Sequence, residues 1–287
     1  MKIIDILKKR STFSFEVFPP KLDKPFEPVK KAIEELYSFS PDFISCTYGV
    51  GGVNKKRSIE ICKFVESSKH NIMTHFTCIG NTKADILQTV ADYTNIGVDA
   101  ILAMRGDFPK GSDKTGGDFD HADKLIVFLK ENFPKLTLAC AGYPETHILA
   151  SNEESDIAYL RSKQDAGAEF CMLQLCHDVN EYETWAQRCR KAGITMPFVM
   201  GIMPVLTKDA VVRMTLSNGC SIPKDLARII GKYNNSPDDF KKAGKEYTVK
   251  KLHAYMNSSI SGIHIYTLNK YEDIAEIVET SGIRVKK

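Results

Sequence analysis

Short apolar runs typical of buried β-strands recur along this chain of 287 residues, and their spacing limits the folds that it can adopt. The first seven runs mostly follow one another at roughly 30 residues, which is the size of one strand–helix unit in an α/β protein. We predict strands over residues 14–18, 43–47, 73–77, 100–104, 136–141, 170–175, 198–202 and 262–266.

The stretches between these runs have helical periodicity. In one of them Val29, Ile33 and Leu36 form an apolar stripe, and in another Gly97 follows the last apolar position, as a helix-ending glycine does. Strands that alternate with helices eight times favour an α/β fold of the (β/α)8 type, the TIM barrel, over an open doubly wound sheet.

The stretch 217–260 is too long for a single connection between the last two strands. Pro223 and Pro237 stand where prolines commonly begin helices, so we predict extra helices between strands seven and eight. No linker, low-complexity segment or strong internal repeat interrupts the sequence. We therefore predict one domain over residues 1–287.

Composition excludes several classes of partner. The net charge of +3 is too small to indicate a nucleic-acid partner, and the one basic cluster is the tail 284–287. No apolar run is long enough to span a membrane, and the first ten residues mix acidic and basic side chains, unlike a secretory signal. The eight cysteines include no Cys-x-x-Cys pair, so a cytoplasmic location is the simplest prediction.

Glu16 is unusual because it lies in a run of aromatic and β-branched residues. Strand alternation places Phe13, Phe15 and Val17 on one face and Ser14 and Glu16 on the other. Burial favours the protonated form of a carboxyl group, and a protein can in this way keep a general acid protonated at neutral pH. The segment alone is equally compatible with a glutamate that pairs with a buried lysine or arginine.

Polar side chains also stand near the ends of most of the other predicted strands. Chemistry gathers at the carboxyl ends of the strands in a barrel of this type, so their recurrence favours one site over unrelated core polar groups. The groups concerned are Glu16, residues 45–48, His75, residues 105–107, residues 143–147, Gln174 and residues 264–269.

Two weaker signals have simpler interpretations. The glycine-rich segment 49–52 lacks the third glycine of a dinucleotide-binding motif, so it predicts only a loop with close backbone approach. Cys171, Cys176 and His177 suggest metal ligands, but the two cysteines fall on opposite faces of a strand. We predict no metal site.

Eight sequence blocks resemble those of one enzyme family in both order and spacing. The blocks are Ser-Phe-Glu-Val-Phe-Pro-Pro (14–20), Thr-Tyr-Gly (47–49), His-Phe-Thr-Cys (75–78), Arg-Gly-Asp-Phe-Pro (105–109), Gly-Tyr-Pro-Glu-Thr-His (142–147), Lys-Gln-Asp-Ala-Gly-Ala (163–168), Gly-Ile-Met-Pro (201–204) and His-Ile-Tyr-Thr-Leu-Asn (264–269). Together they resemble the methylenetetrahydrofolate reductases, flavin enzymes built on a (β/α)8 barrel. The length is similar to that of the bacterial form, which has the catalytic domain only.

The resemblance implies FAD as cofactor and assigns roles to individual residues. Glu16 would be the catalytic acid, and Asp107 would lie beside both flavin and pterin. Substrate contacts would come from Gln174, Thr47, Asp107 and Lys270. The family's FAD-contacting positions fall on Thr47, Tyr48, His75, Arg105, Gly106, Asp107, His121, Ala122, Tyr143, His147, Asp156, Tyr159, Ser162 and Lys163.

This chain departs from the family pattern at several of these positions. His121 stands where an aromatic residue is usual, and Tyr159 and Ser162 stand at positions that are usually polar or basic. Lys270 replaces a common arginine expected to hold the folate tail, and a lysine lacks the two-pronged carboxylate contact of arginine. The aromatic residue that often stacks on the substrate aligns near Met214.

The implied activity belongs to one-carbon metabolism: reduction of 5,10-methylenetetrahydrofolate to 5-methyltetrahydrofolate with NADH or NADPH as donor. Hydride would pass through flavin N5 in ping-pong order. The five-membered imidazolidine ring must open to a 5-iminium cation, which requires a proton on a ring nitrogen, and Glu16 is the expected donor. Asp107 is expected to stabilise the cation as a carboxylate.

Three alternatives are compatible with the sequence. Electrons could come from a partner protein, because the family's nicotinamide site overlaps the folate site and has no motif of its own. The chain could instead be a flavin- or folate-binding subunit without catalysis, or a zinc-dependent methyltransferase on the same barrel. Either a homo-oligomer or a complex with an electron-transfer subunit is compatible with the sequence.

Overall fold

The structure, a computed structural model, describes residues 1–48, 55–108 and 116–283. The glycine-rich loop predicted at 49–52 and the basic tail 284–287 lie outside the described residues. Gly49 and Pro109, each the last residue of a motif block, also lie outside them.

Eight parallel strands close into a barrel in which each strand pairs with its neighbours in chain order and the last pairs with the first. The (β/α)8 prediction is confirmed. The strands are β1 (Thr12–Val17), β2 (Phe43–Cys46), β3 (Ile72–Thr77), β4 (Ala100–Met104), β5 (Thr137–Gly142), β6 (Phe170–Leu173), β7 (Phe198–Ile202) and β8 (Gly262–Tyr266). The strands predicted over 43–47 and 170–175 were too long, because β2 ends at Cys46 and β6 ends at Leu173, so that Gln174 lies just beyond β6.

Helices follow the strands around the outside of the barrel. They are α1 (Ile3–Leu7), α2 (Glu27–Leu36), α3 (Lys55–Ser67), α4 (Lys83–Asn95), α5 (Ala122–Asn132), α6 (Glu153–Asp165), α7 (Val179–Lys191), α8 (Lys208–Ser217), α9 (Lys224–Lys232), α10 (Pro237–Met256) and α11 (Tyr271–Ser281). Helices α8, α9 and α10 occupy the long connection between β7 and β8. Pro223 directly precedes α9 and Pro237 begins α10, as the two prolines indicated.

The largest apolar cluster lies between the strands and the surrounding helices. Phe13 and Phe15 of β1 belong to it together with Val29, Ile33 and Leu36 of α2, and all five are buried. Strand alternation therefore turns the aromatic residues of β1 outward and leaves Ser14 and Glu16 toward the barrel axis, as the sequence pattern predicts.

A second apolar cluster fills the amino-terminal half of the barrel interior. Helix α1 contributes Ile3, Ile4 and Leu7, which pack against the inward-facing residues near the starts of the strands. Those strand residues include Phe43, Met73, Ala100, Ala139, Phe170 and Val199. The sequence did not predict α1, which closes this end of the barrel.

All eight cysteines carry free thiols and all are buried. Within the described ranges no helix is both long enough and apolar enough to cross a membrane.

Candidate active site

A cleft of about 770 Å³ opens at the carboxyl ends of the strands. The structure brings every predicted cofactor position into the wall of this one cleft, together with Gln174. Glu16 and Lys270 are not among the lining residues. Lys270 is exposed and directly precedes α11, whereas Glu16 lies beneath His75, which does line the cleft.

Glu16 is buried, with 9% of its surface exposed, and points toward the barrel axis near the end of β1. Burial raises the pKa of its carboxyl group to about 8, so the protonated form dominates at neutral pH. Among the described residues the basic groups close to Glu16 Oε2 are two imidazoles, His75 Nε2 at 3.5 Å and His264 Nε2 at 3.9 Å. The alternative of a buried lysine or arginine partner therefore does not hold for the described part of the chain.

The two imidazoles share one serine. Ser45 Oγ lies 3.2 Å from His75 Nε2 and 2.9 Å from His264 Nε2, and Ser14 Oγ lies 2.7 Å from His264 Nδ1. Burial lowers the pKa of His75 to about 4 and that of His264 well below its usual range. All these side chains are thus uncharged at neutral pH. A hydroxyl has one proton and two lone pairs, so Ser45 donates to at most one imidazole and accepts from at least one.

The segment after β8 holds the backbone around Glu16. The main-chain nitrogen of Thr267 donates to the Glu16 carbonyl at 3.1 Å, and the Thr267 hydroxyl donates to the same oxygen at 2.7 Å. The Asn269 side chain accepts from the Phe18 N–H at 3.1 Å and donates to the Phe18 carbonyl at 2.8 Å. Leu268 and Asn269 have positive φ values of 50° and 54°, a conformation that these bonds hold in place.

The wall formed after β4 carries a positive charge and a tight turn. The Arg105 guanidinium lies over the Phe108 ring at 4.5 Å, and its Nε donates to the Gly106 carbonyl at 3.0 Å. Gly106 has a φ of +92°, and a Cβ there would lie 2.7 Å from the Ile79 side chain, so the turn requires glycine. This turn leaves Asp107 exposed at the cleft.

Helix α6 contributes one face to the cleft. Asp156, Tyr159, Ser162 and Lys163 are separated by three, three and one residues, so they lie along one side of the helix. Lys163 Nζ donates to the Ala141 carbonyl at 2.6 Å. The polar α6 face therefore places a second positive charge opposite the wall after β4.

The loop after β5 joins this face. The His147 N–H donates to Asp156 Oδ2 at 3.0 Å, and the rings of Tyr143 and His147 meet edge to face at 4.5 Å. Burial raises the pKa of Asp156 and that of the Tyr143 hydroxyl. Tyr159 is half exposed at the rim, where its ring lies 5.7 Å from that of His121.

Gln174 stands on the opposite side of the cleft, just past β6. Its Oε1 accepts from the Leu175 N–H at 2.8 Å, and its Nε2 donates to Asn218 Oδ1 at 2.9 Å. Asn218 lines the cleft and carries no prediction from the sequence. Met214, the position aligned with the family's stacking aromatic, is partly buried in α8 and is not among the lining residues.

Sequence reasoning also missed three other lining features. Thr77 has a buried hydroxyl without a hydrogen-bond partner among the described residues, and Ile148 and Leu149 are exposed apolar side chains at the rim. Thr77 lies in the motif block 75–78 but was given no role, and two aliphatic residues in a loop carry no recognisable motif. No group of three or more His, Cys, Asp or Glu residues that could hold a metal occurs in the described ranges.

Comparisons with known proteins agree with this geometry. The family model described as methylenetetrahydrofolate reductase matches residues 2–282. The 5,10-methylenetetrahydrofolate reductase of Escherichia coli is 30% identical over 94% of this chain and 90% of its own length. The methylenetetrahydrofolate reductase (NADH) 1 of Arabidopsis thaliana is 30% identical over 99% of this chain, and the chain spans about half, 51%, of that longer protein.

One solved structure is similar over the whole fold. It is an uncharacterised protein from Clostridium thermocellum described as binding two copies of 5-methyl-5,6,7,8-tetrahydrofolic acid. The TM-score is 0.69 over 97% of this chain and 98% of that one, at 13% identity. At that identity the likeness shows the shared barrel alone.

Proposed function

Because this chain belongs to the methylenetetrahydrofolate reductase family, we propose that it reduces 5,10-methylenetetrahydrofolate to 5-methyltetrahydrofolate with electrons from a reduced nicotinamide. The observation that carries this proposal is the protonated, buried carboxyl group of Glu16 beneath a cleft of about 770 Å³. The proposed reaction needs a proton donor at neutral pH, and Glu16 has the environment of one.

FAD, which the family implies, fits the residues that line the cleft. Arg105 and Lys163 supply two positive charges for a diphosphate, and α5 begins at Ala122, at the cleft, without a side-chain cap among the described residues. The Thr77 hydroxyl, which has no hydrogen-bond partner in the described part of the chain, and Gly106, which has no side chain, suit the close approach of a flat polar ring. When bound, the flavin supplies hydride transfer between nicotinamide and folate.

Glu16 holds the proton that opens the imidazolidine ring. Its backbone is held by Thr267, and its carboxyl group lies 3.5 Å from Nε2 of His75, a residue that lines the cleft. A carboxyl group with a pKa near 8 keeps its proton at pH 7, and it can give that proton to a ring nitrogen as the carbon–nitrogen bond of the imidazolidine ring breaks. Once the proton has left, the Ser45 hydroxyl can reorient between the two imidazoles and adjust to the new charge.

Asp107 has a different environment and takes a different role. It is exposed at the cleft, one residue after the Gly106 turn, so water solvates its carboxylate. We assign to it electrostatic stabilisation of the iminium cation that forms after Glu16 has given up its proton. Two carboxyl groups would thus serve one reaction, one of them neutral and buried and the other exposed.

Two half-reactions measured without oxygen test the proposal. The purified chain should have a flavin spectrum that NADH or NADPH bleaches and that 5,10-methylenetetrahydrofolate restores. In Glu16→Gln we expect normal bleaching, but folate-dependent reoxidation about 10²- to 10⁴-fold slower, because the amide is too weak an acid to protonate the ring nitrogen. Bleaching by reduced ferredoxin alone would instead indicate a partner protein as the electron donor.

Glu169→Gln is the matched control. Glu169 precedes β6 at the opposite end of the barrel and pairs with Lys130 at 2.7 Å, so both half-reactions should keep their wild-type rates. A Glu16→Gln enzyme that is reoxidised as fast as wild type would show that another group donates the proton. A wild-type chain that neither binds flavin nor turns over the folate would disprove the function itself.

A further inference from the structure

We propose that Asn218 fixes the orientation of the Gln174 side-chain amide and thereby sets how tightly this chain binds the pterin ring of its substrate. The inference rests on the proposed function. Asn218 directly follows α8 and both residues line the cleft, although they are 44 residues apart in the sequence. None of the motif blocks includes Asn218.

Three hydrogen bonds in series carry the inference. The Leu175 N–H donates to Gln174 Oε1 at 2.8 Å, Gln174 Nε2 donates to Asn218 Oδ1 at 2.9 Å, and Asn218 Nδ2 donates to the Met214 carbonyl at 2.8 Å. A main-chain N–H can only donate and a main-chain carbonyl can only accept. Because the series begins and ends on such groups, each amide has one orientation that satisfies all three bonds.

The segment that carries Asn218 is itself held in place. The Ser221 N–H donates to Glu145 Oε2 at 2.7 Å, which ties the segment to the loop after β5. Cys220 Sγ lies 3.1 Å from the Leu175 carbonyl, which ties it to the segment after β6. Asn218 is therefore a fixed acceptor for Gln174.

This arrangement determines what Gln174 offers to a ligand. One N–H of Nε2 and one lone pair of Oε1 remain available, so the side chain presents one donor and one acceptor. The 2-amino-4-oxopyrimidine ring of a pterin carries donors and acceptors along its edge and can pair with both. With the amide reversed, Nε2 would face the Leu175 N–H, and two donors would oppose each other.

Asn218→Leu removes the acceptor and is the first test. We expect the affinity for 5-methyltetrahydrofolate, followed by the change in flavin absorbance on titration, to fall roughly 5- to 20-fold, the value of one lost hydrogen bond. The KM for 5,10-methylenetetrahydrofolate should rise with it, while kcat at saturating folate stays near the wild-type value. A general loss of structure would lower both half-reactions.

Two further variants distinguish an effect on the orientation of the Gln174 amide from an effect on the capping of α8. Asn257→Leu removes a bond of the same kind at the end of α10, where Asn257 Nδ2 donates to the His253 carbonyl at 3.0 Å, so it should lower Tm without affecting folate binding. Asn218→Asp keeps an oxygen for Gln174 Nε2 but cannot donate to Met214. It should therefore bind folate nearly as wild type while its Tm falls as in Asn218→Leu.

Unchanged folate affinity in Asn218→Leu would overturn this inference alone, provided that the wild-type chain binds folate. Equal loss of affinity in Asn218→Leu and Asn218→Asp would also overturn it, because the effect would then come from the cap on α8. A wild-type chain that binds no folate would overturn the proposed function, and this inference with it.

Discussion

The two halves of the barrel interior differ in chemistry although the same strands form both. Near the strand starts, Phe43 of β2 and Met73 of β3 face the axis in the apolar cluster closed by α1. Two residues further along the same faces stand Ser45 and His75, which belong to the polar cluster around Glu16. A step of two residues keeps the direction of the side chain and moves it one layer toward the cleft. Successive layers of one fold can therefore serve different purposes: the layer near the strand starts serves stability, and the next layer serves chemistry.

The two layers also avoid charge in different ways. The lower layer has no titratable side chain among its apolar members. The upper layer has three, and burial moves each pKa in the direction that favours the neutral form: upward for Glu16, downward for His75 and His264. The upper layer is thus polar without being ionised, which limits the cost of burying it.

The largest effect on stability is expected from the lower layer. Phe170→Ala should reduce the free energy of unfolding by about 3–5 kcal/mol, because the ring is fully buried and its removal leaves a cavity among tightly packed neighbours. Urea unfolding measures the loss. The kcat of the fraction that remains folded should not change.

Val127→Ala on α5 is the control, since Val127 is exposed, and its effect should stay within about 0.5 kcal/mol. If Phe170→Ala changed the rate of folate reduction rather than the stability, the separation of the two layers would be wrong.

A smaller effect, of opposite sign, is expected in the upper layer. Folded Glu16 keeps its proton up to a pKa of about 8, whereas unfolded Glu16 loses it near 4.5. Between these values the folded state binds the additional proton, so the contribution of Glu16 to stability is present below pH 4.5 and is lost as the pH rises toward 8. Glu16→Gln has no such loss. The free energy of unfolding of Glu16→Gln minus that of the wild type should therefore be about 3 kcal/mol larger at pH 7 than at pH 4.5.

Urea unfolding of both proteins between pH 4.5 and pH 8.5 checks this. His75 acts in the opposite direction, since its pKa is lowered from 6.5 to about 4, but it is present in both proteins and its effect cancels in the difference. Stability curves that run parallel across this range would show that Glu16 is ionised in the folded protein.

The smallest effect is expected from the shared serine. Ser45→Ala should cost about 1–3 kcal/mol, because it leaves two buried imidazole nitrogens without their common partner. The ¹⁵N shifts of the His75 and His264 rings should change, since Ser45 sets which nitrogen carries the proton. Ser38→Ala, at an exposed serine, should change neither quantity. Unaltered ring shifts in Ser45→Ala would show that the serine does not couple the imidazoles.

Much of the fold could be predicted because its signals are local. Alternation within one strand was enough to turn Glu16 inward, and Pro223 and Pro237 marked the starts of two extra helices. Helix α1 escaped prediction because it has only five residues and its apolar side chains find partners only inside the closed barrel. The end of β6 was placed too late because apolar residues resume at Leu175, after Gln174, although the strand pairing stops at Leu173.

The lining of the cleft could be predicted where the family resemblance assigns positions, inside the motif blocks and between them. Thr47, His75 and Arg105 of the blocks line the cleft, and so do Asp156 and Tyr159, which lie outside the blocks. The contact between Ser45 and His264 joins residues 219 positions apart, and that between Gln174 and Asn218 joins residues 44 apart. The sequence around each residue does not indicate its partner, because barrel closure and the packing of α8 create these contacts.

The eight buried thiols have a practical consequence for experiments. A folded chain should react slowly with a thiol reagent, and each molecule that unfolds should release eight equivalents of reactive sulfur. The rate at which reactive thiols appear therefore measures the rate of global unfolding. The measurement needs no label on the protein and no optical signal from a bound cofactor. For the same reason a single cysteine introduced at an exposed position would be the fastest site for attaching a probe, with all the native cysteines left in place.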